Sequence, residues 1–128
     1  MISRPNGRAP GLIFFNHKGD ESGGLVFDAN GDNGQFESLT FDRMADDQTI
    51  GIQHVENEDG SYFAGMTVWD RPGGARRVTA GTLLDRSATI ALYDPNGKVR
   101  IRISVDRAGN PKMDFLDETG KVTYSLPR

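Results

Sequence analysis

The chain has 128 residues, with 18 acidic against 15 basic side chains and a net charge of −3, which does not favour nucleic acid or an anionic membrane as a partner. It contains no cysteine, which excludes disulfides and thiolate chemistry, and no apolar run of membrane-spanning length. We therefore expect one soluble β-repeat domain over residues 1–128, with residues 1–10 as a flexible N-terminal segment. Because the start lacks the apolar core of a secretion signal, we expect a cytoplasmic location unless a removed signal or anchor exported the chain.

A four-residue pattern recurs along the chain: Asp or Asn, two variable residues, then Gly or Ala. It occurs nine times at intervals of 9 to 15 residues, led by Asn16, Asp28, Asp42, Asn57, Asp70, Asp85, Asp94, Asp106 and Asp117. In a type I turn the first side chain accepts hydrogen bonds from backbone N–H groups just ahead, and Gly at the fourth position takes the positive φ that closes a three-residue hairpin loop. The pattern predicts successive β-hairpins, with different loops where Ala45 and Ala88 replace Gly.

Between these turns the sequence predicts ten strands. It predicts no helix, because no stretch of a dozen residues keeps a 3.6-residue period without a Gly or Pro. Residues 98–105 alternate most clearly, with Val99, Ile101 and Ile103 on one face and Arg102 on the other; a hairpin at Asp106 then places Arg102 opposite Asp114. The predicted strands are 11–16, 24–28, 36–42, 48–55, 62–69, 77–84, 88–94, 98–106, 111–117 and 121–126.

Several strands are apolar on both faces, among them GLIFF at 11–15 and the TVWD stretch at 67–70. Such strands need a second covering layer, and with little chain left over, another copy of the chain is the natural candidate. The edges of the sheet must also be hidden. The predicted fold is therefore an all-β antiparallel meander of about ten short strands, either a closed barrel or an intertwined oligomeric β-repeat.

The C-terminal third, LYDPNGKVRIRISVDRAGNPKMDFLDETGKVTYSLP, resembles the D-x-x-G-K strand repeats of phage tail-fibre tips and of many uncharacterised bacterial proteins. The stretches GLIFFNHKGDESGGLVFD, SLTFDRMADDQTIGIQH and AGMTVWDRP resemble one uncharacterised bacterial family more specifically, and together they cover most of the chain. That family often carries an N-terminal hydrophobic segment and an insert after WDRP, which this sequence lacks. The resemblance implies no established activity, and the tail-fibre likeness implies a trimer.

The least ordinary polar residue is His54. In strand phase it shares a face with Ile50 and Ile52, and Glu56 comes next along that face. A histidine beside a carboxylate can act as a general acid–base pair, and the alternative is a hydrogen-bonded or solvated residue at a strand end.

Four further residues are candidate ligand contacts. Trp69 and Arg71 could line a binding mouth, the indole stacking on a ligand and the guanidinium pairing with an anionic group; Tyr93 is a similar aromatic candidate. His17 lies in a Gly-rich loop of the kind that often carries function. The alternatives are an aromatic packed at a strand end or interface, and an ordinary turn.

No metal or other cofactor is expected. The two histidines lie 37 residues apart and supply too few ligands for a transition metal, and no cofactor motif occurs. Asp28, Asn30 and Asp32 have the spacing of a calcium-loop opening, but the Gly falls one place late and position twelve is Leu39, so calcium binding stays undecided.

Two functions remain open. The first is a self-assembling β-repeat module, structural or binding, that forms a trimer or other small homo-oligomer. The second is a small β-barrel enzyme or binding protein for a hydrophobic small molecule, of isomerase, cyclase or hydratase type, in which His54 and Glu56 carry the chemistry.

Overall fold

The computed structural model describes residues 2–4, 7–9, 11–29, 34–43, 48–71 and 74–128. Over these residues the secondary structure consists of strands and turns. β1 (Ile2–Arg4) and β2 (Gly7–Ala9) pair with each other in a small sheet of their own. The other strands are β3 (Gly11–Phe15), β4 (Glu21–Ala29), β5 (Gln35–Asp42), β6 (Gln48–Glu56), β7 (Tyr62–Trp69), β8 (Arg76–Leu83), β9 (Ala88–Tyr93), β10 (Val99–Val105), β11 (Pro111–Leu116) and β12 (Val122–Leu126).

Strands β3 to β12 form one antiparallel sheet of ten strands, in which each strand pairs with its neighbours in the chain. This confirms the predicted all-β meander, and every predicted strand overlaps an observed one. The sheet is not closed into a barrel, because β3 and β12 form its two edges. One layer of ten strands is therefore what the chain builds.

Six turns share one hydrogen-bond pattern. The N–H of the leading residue donates to the carbonyl four residues on, and the N–H of the fourth residue donates back to the leading carbonyl. At Asp106, Oδ1 also accepts the N–H of Ala108 at 2.8 Å and that of Asn110 at 2.9 Å, while Gly109 has a φ of 88°. These bonds, with one from the Asn110 amide first among them, hold the pKa of Asp106 below its ordinary value. The leading residues are Asn16, Asn57, Leu83, Asp94, Asp106 and Asp117, which confirms five of the predicted turns.

The predicted turn led by Asp85 was wrong in register. The turn runs from Leu83 to Ser87, and Arg86 occupies the position of positive φ, at 67°. Asp85 is instead the third residue of the turn, where its Oδ1 accepts the N–H of Ser87 at 2.9 Å. An aspartate can accept a backbone N–H two residues ahead from either position, so the residue type alone does not fix where the turn begins. The turns predicted at Asp28, Asp42 and Asp70 include residues outside the described ranges.

A register shift marks one end of the sheet. It occurs beside the connecting turn in the hairpins β3–β4, β5–β6, β7–β8, β9–β10 and β11–β12. In β10 the shift pairs Val99 with Tyr93 and Ile101 with Leu92, so that Arg100 is the extra residue. Val99 therefore lines the same groove as Tyr93 instead of sharing the face of Ile101, which strict alternation had predicted. Such bulges bend strands and increase their twist.

The two faces of the sheet differ in chemistry. One, here called the apolar face, carries most of the large exposed hydrophobic side chains: Leu12, Phe14, Phe27, Phe41, Ile52, Met66, Ile90, Leu92, Ile103, Val105, Tyr124 and Leu126. The other, here called the groove face, carries small and polar residues that are buried: Ser38, Gly51, Thr67, Thr79, Ala91 and Asp114. The usual placement of large apolar groups inside and polar groups outside is thus inverted within one chain.

Asp114 is held by three hydrogen bonds on the groove face, where it is only 1% exposed. Its carboxylate accepts the Ser125 hydroxyl at 2.6 Å, the Lys112 ammonium at 2.9 Å and the Arg102 guanidinium at 3.0 Å. Against the cost of burial, these bonds lower the pKa of Asp114 to about 2. The Arg102–Asp114 pair that hairpin register predicted is confirmed and links β10 to β11, and the Ser125 bond adds β12.

We expect Gly109→Ala to lower the free energy of unfolding by about 1–2 kcal/mol, because φ is 88° there and a Cβ at left-handed φ crowds the following carbonyl. No neighbouring atom lies within 4 Å of that Cβ, so the cost is one of backbone conformation. Arg86→Gly is the matched control: it relieves the same strain at the equivalent position and should not lower the unfolding free energy by a comparable amount. Urea unfolding of both variants checks this, and equal losses would contradict the assignment.

Candidate functional site

The apolar face is interrupted at one end by a polar cluster around His54. The strand register places His54 of β6 opposite Glu37 of β5 and Ala64 of β7. His54 Nδ1 lies 2.6 Å from Glu37 Oε2, and Nε2 lies 3.4 Å from Oε1 of Glu56, two residues on along the same strand. The Tyr62 ring approaches the imidazole edge-on, with the ring centroids 5.5 Å apart. The imidazole thus has a carboxylate beside each nitrogen.

Glu37 is the anchor of this cluster. The Gln35 amide donates a hydrogen bond to it, which lowers the pKa of Glu37 below its ordinary value. Partial burial opposes that effect, while the hydrogen bond and charge of His54 add to it. An ionised Glu37 carboxylate can only accept, so this contact orients the ring with Nε2 on the Glu56 side. The arrangement is chemically able to perform acid–base work.

A hollow next to this cluster is not lined by the imidazole. It has a volume of about 400 Å³ and lies between the cluster and the β8–β9 hairpin. Glu56 and Tyr62 line it on one side, and Leu84 and Arg86 on the other. His54 is not part of its wall, so a molecule in the hollow would meet Glu56 first.

Two of the predicted ligand residues lie on the opposite face from His54. The Trp69 ring covers Gly51 on the groove face, where a Cβ would lie 3.0 Å from the indole Cη2. The Tyr93 hydroxyl lies 3.1 Å from Thr79 Oγ1 on the same face. A single lumen around His54, Trp69 and Tyr93 is therefore not formed within one chain.

The other two predicted ligand residues are exposed turn residues. Arg71 follows β7, and its backbone N–H donates to Asp70 Oδ1 at 2.7 Å. His17 lies in the turn between β3 and β4. Both turns are at the bulged end of the sheet, whereas His54 is two residues from the opposite end of β6, so neither side chain joins its cluster.

Sequence reasoning missed Glu37, although it predicted His54 and Glu56. Glu37 precedes His54 by 17 residues, and their contact follows from the β5–β6 register. That register cannot be counted across the connecting segment, because Ala45 stands where a regular turn has Gly. Across the Asp106 turn, which has the full pattern, the same counting correctly paired Arg102 with Asp114.

Within the described ranges, no group of three or more His, Asp or Glu side chains is placed to hold a metal ion. Of the calcium-loop candidates, Asn30 and Asp32 lie outside those ranges. The part of the chain that the structure describes has no helix long and apolar enough to cross a membrane.

No family model matches the chain, and no curated protein matches it. The resemblance to a bacterial family and to tail-fibre repeats therefore stays a prediction.

The Glu37–His54 contact has a consequence for acid unfolding. Because the pKa of Glu37 is lowered in the folded chain, its carboxylate stabilises the fold above the ordinary glutamate pKa, about 4.3, and that stabilisation is lost as the pH falls through the lowered value. Between about pH 6 and pH 3, we expect Glu37→Gln to lose less unfolding free energy than the unchanged chain. The midpoint of urea unfolding at each pH measures this. Glu118→Gln, in an exposed turn, is the control and should follow the unchanged chain. Identical pH dependence for all three would rule out the contact as a source of stability.

Proposed function

We propose that this chain is a self-assembling β-repeat module, structural or binding in role, that acts as a small homo-oligomer without a cofactor. The observation that carries the proposal is the apolar face, which spans all ten strands and is open to solvent in a single chain. Among the side chains the structure describes, only Ala91 and Leu116 are buried hydrophobic residues. Since burial of apolar surface is the dominant favourable term in folding, one sheet with so small a core needs a partner.

The solvent-exposed surface area of the chain gives the size of the proposed interface. A globular monomer of 14.0 kDa exposes about 6,700 Å². This chain exposes 8801 Å², about 2,100 Å² more than that expectation. Obligate homo-oligomers bury roughly 1,000–2,500 Å² per subunit, so the excess has the size of one such interface.

The chemistry of the face favours a second copy as its cover. Over the described strands, its only acidic or basic residues are Glu37, His54 and Glu56, all at one end. Interfaces of homo-oligomers combine an apolar centre with a polar rim, and a sheet face is complementary to a copy of itself because packed sheets interdigitate their side chains. In this arrangement the His54 cluster forms part of the rim.

The number of subunits depends on how the apolar faces pack against each other. Two copies stacked face to face make a sandwich with two-fold symmetry. Three copies whose apolar faces point at a common axis make a trimer with one shared core. The trimer is the form that the tail-fibre resemblance implies, and both forms cover the same side chains.

We expect light scattering to give the mass of two or more chains of 14.0 kDa, constant over about a hundredfold range of concentration. Ile103→Glu would bury an unpaired carboxylate in the interface and should raise the dissociation constant at least about 100-fold. Ile103 is already 39% exposed in the single chain, so the substitution does not disturb a core within the chain.

Ser104→Glu is the matched control, since it adds the same charge one residue away on the groove face, opposite Lys112. It should keep the assembled mass. A single-chain mass for the unchanged protein at every concentration, or equal dissociation by the two variants, would overturn the proposal.

A further inference from the structure

The groove face contains a long cavity that the assembly does not use. It has a volume of about 450 Å³ and crosses five strands, from β6 to β10. That volume lies within the range of small-molecule sites, about 300–1,000 Å³. Because it lies on the face opposite the apolar face, it stays open when the apolar face is covered.

Two glycines face each other on the groove face, between the two ends of this cavity. Gly65 of β7 lies directly opposite Gly81 of β8, in the middle of the groove face. A Cβ on Gly65 would lie 2.1 Å from the Ala80 carbonyl oxygen, and one on Gly81 would lie 2.4 Å from that of Ala64. The two backbones therefore approach more closely than any side chain would allow, and the Phe63 ring lies over Gly81, with its Cε2 atom 2.8 Å from the position of a Cβ.

One end of the cavity is cationic. Arg76 and Arg102 both line it, and no acidic side chain does. Arg102 is held in place by Asp114, whose charge is shared with Lys112, so the three groups together carry one net positive charge. Arg76 is exposed at the start of β8 and makes no ion pair with the described residues.

Neutral hydrogen-bonding groups lie beside the two arginines. The Tyr93 hydroxyl and Thr79 Oγ1 are 3.1 Å apart, and both residues line the cavity. Thr67, 3% exposed, stands opposite Thr79 on the neighbouring strand. A hydroxyl can donate to an anion as well as accept, so this end can surround a carboxylate with charged and neutral donors.

The other end of the cavity is apolar. Val55, Phe63 and Leu83 line it, and the strand register places them in one row across β6, β7 and β8. Tyr93 and Arg76 lie at the bulged end, about six residues away along the strands, which corresponds to roughly 20 Å. The cavity is thus cationic at one end and apolar at the other.

We propose that this cavity binds a small amphipathic carboxylate. The carboxylate group pairs with Arg76 and Arg102 near Tyr93, and the aliphatic or aromatic tail runs along the groove toward Phe63. An arginine matches the geometry of a carboxylate with two parallel donors, and a charge-assisted pair of that kind adds specificity for the anion over a neutral analogue. The proposal does not depend on assembly, because the apolar face takes no part in the site.

The test compares octanoate with octanamide, which has the same tail and no charge, by calorimetric titration of the full chain. Octanoate should bind at least about tenfold more tightly than octanamide. Arg76→Gln should weaken octanoate binding by at least about tenfold and leave octanamide unchanged. Arg107→Gln, which removes the same charge from the exposed β10–β11 turn, should change neither.

A second readout locates the probe. Octanoate should shift the side-chain resonances of Thr79, Tyr93 and Arg76, and leave the side-chain methyl resonances of Met66 and Ile103 on the apolar face unmoved. Equal binding of the two probes, equal effects of the two arginine variants, shifts confined to the apolar face, or no binding at all would each overturn the proposal. None of these outcomes bears on the assembled mass, which light scattering measures separately.

Discussion

The lengths of the connections constrain everything else in this protein. Six of the links between strands are turns in which the leading N–H reaches a carbonyl only four residues on. A link that short returns the chain antiparallel to the strand it has just left, so each strand pairs with its neighbours in sequence and with nothing farther away. The ten strands, six of whose links are of this kind, form one layer. Over the described residues the large apolar side chains of one face of this layer stay exposed in a single chain.

The two faces of this single layer carry different kinds of side chain. Large apolar side chains such as Ile52, Met66 and Ile103 occupy one face, where they are more than a third exposed and where a second copy can bury them. On the other face, Gly65 and Gly81 bring the backbones of β7 and β8 close together, and a cavity crosses β6 to β10. The apolar face and the groove face thus both result from the alternation of side chains along each strand. In our proposal, assembly of the apolar faces provides the core, and the groove binds the ligand.

The electrostatics follow the same division. The described apolar face keeps its charges at one end, where Glu37 and Glu56 flank His54. The groove face carries an ionic network near its C-terminal edge, in which Asp114 ties β10, β11 and β12 together through Arg102 and Ser125. Arg102, which Asp114 holds from β11, also lines the cavity. A contact that secures the edge of the sheet therefore also supplies the positive charge at one end of the groove.

The sequence by itself determined the all-β meander, the approximate strand limits and the Arg102–Asp114 pair, because turn chemistry and two-residue alternation are local properties that can be read along the chain. It did not determine that the sheet stays open, that Glu37 meets His54, or that Tyr93 lies on the opposite face from His54. These features depend on the pairing register across irregular links and on bulges. At either, one extra residue moves every later side chain of the strand to the other face. Only the tertiary structure shows which residues share a site, because each bulge or irregular link changes which residues of neighbouring strands lie on the same face.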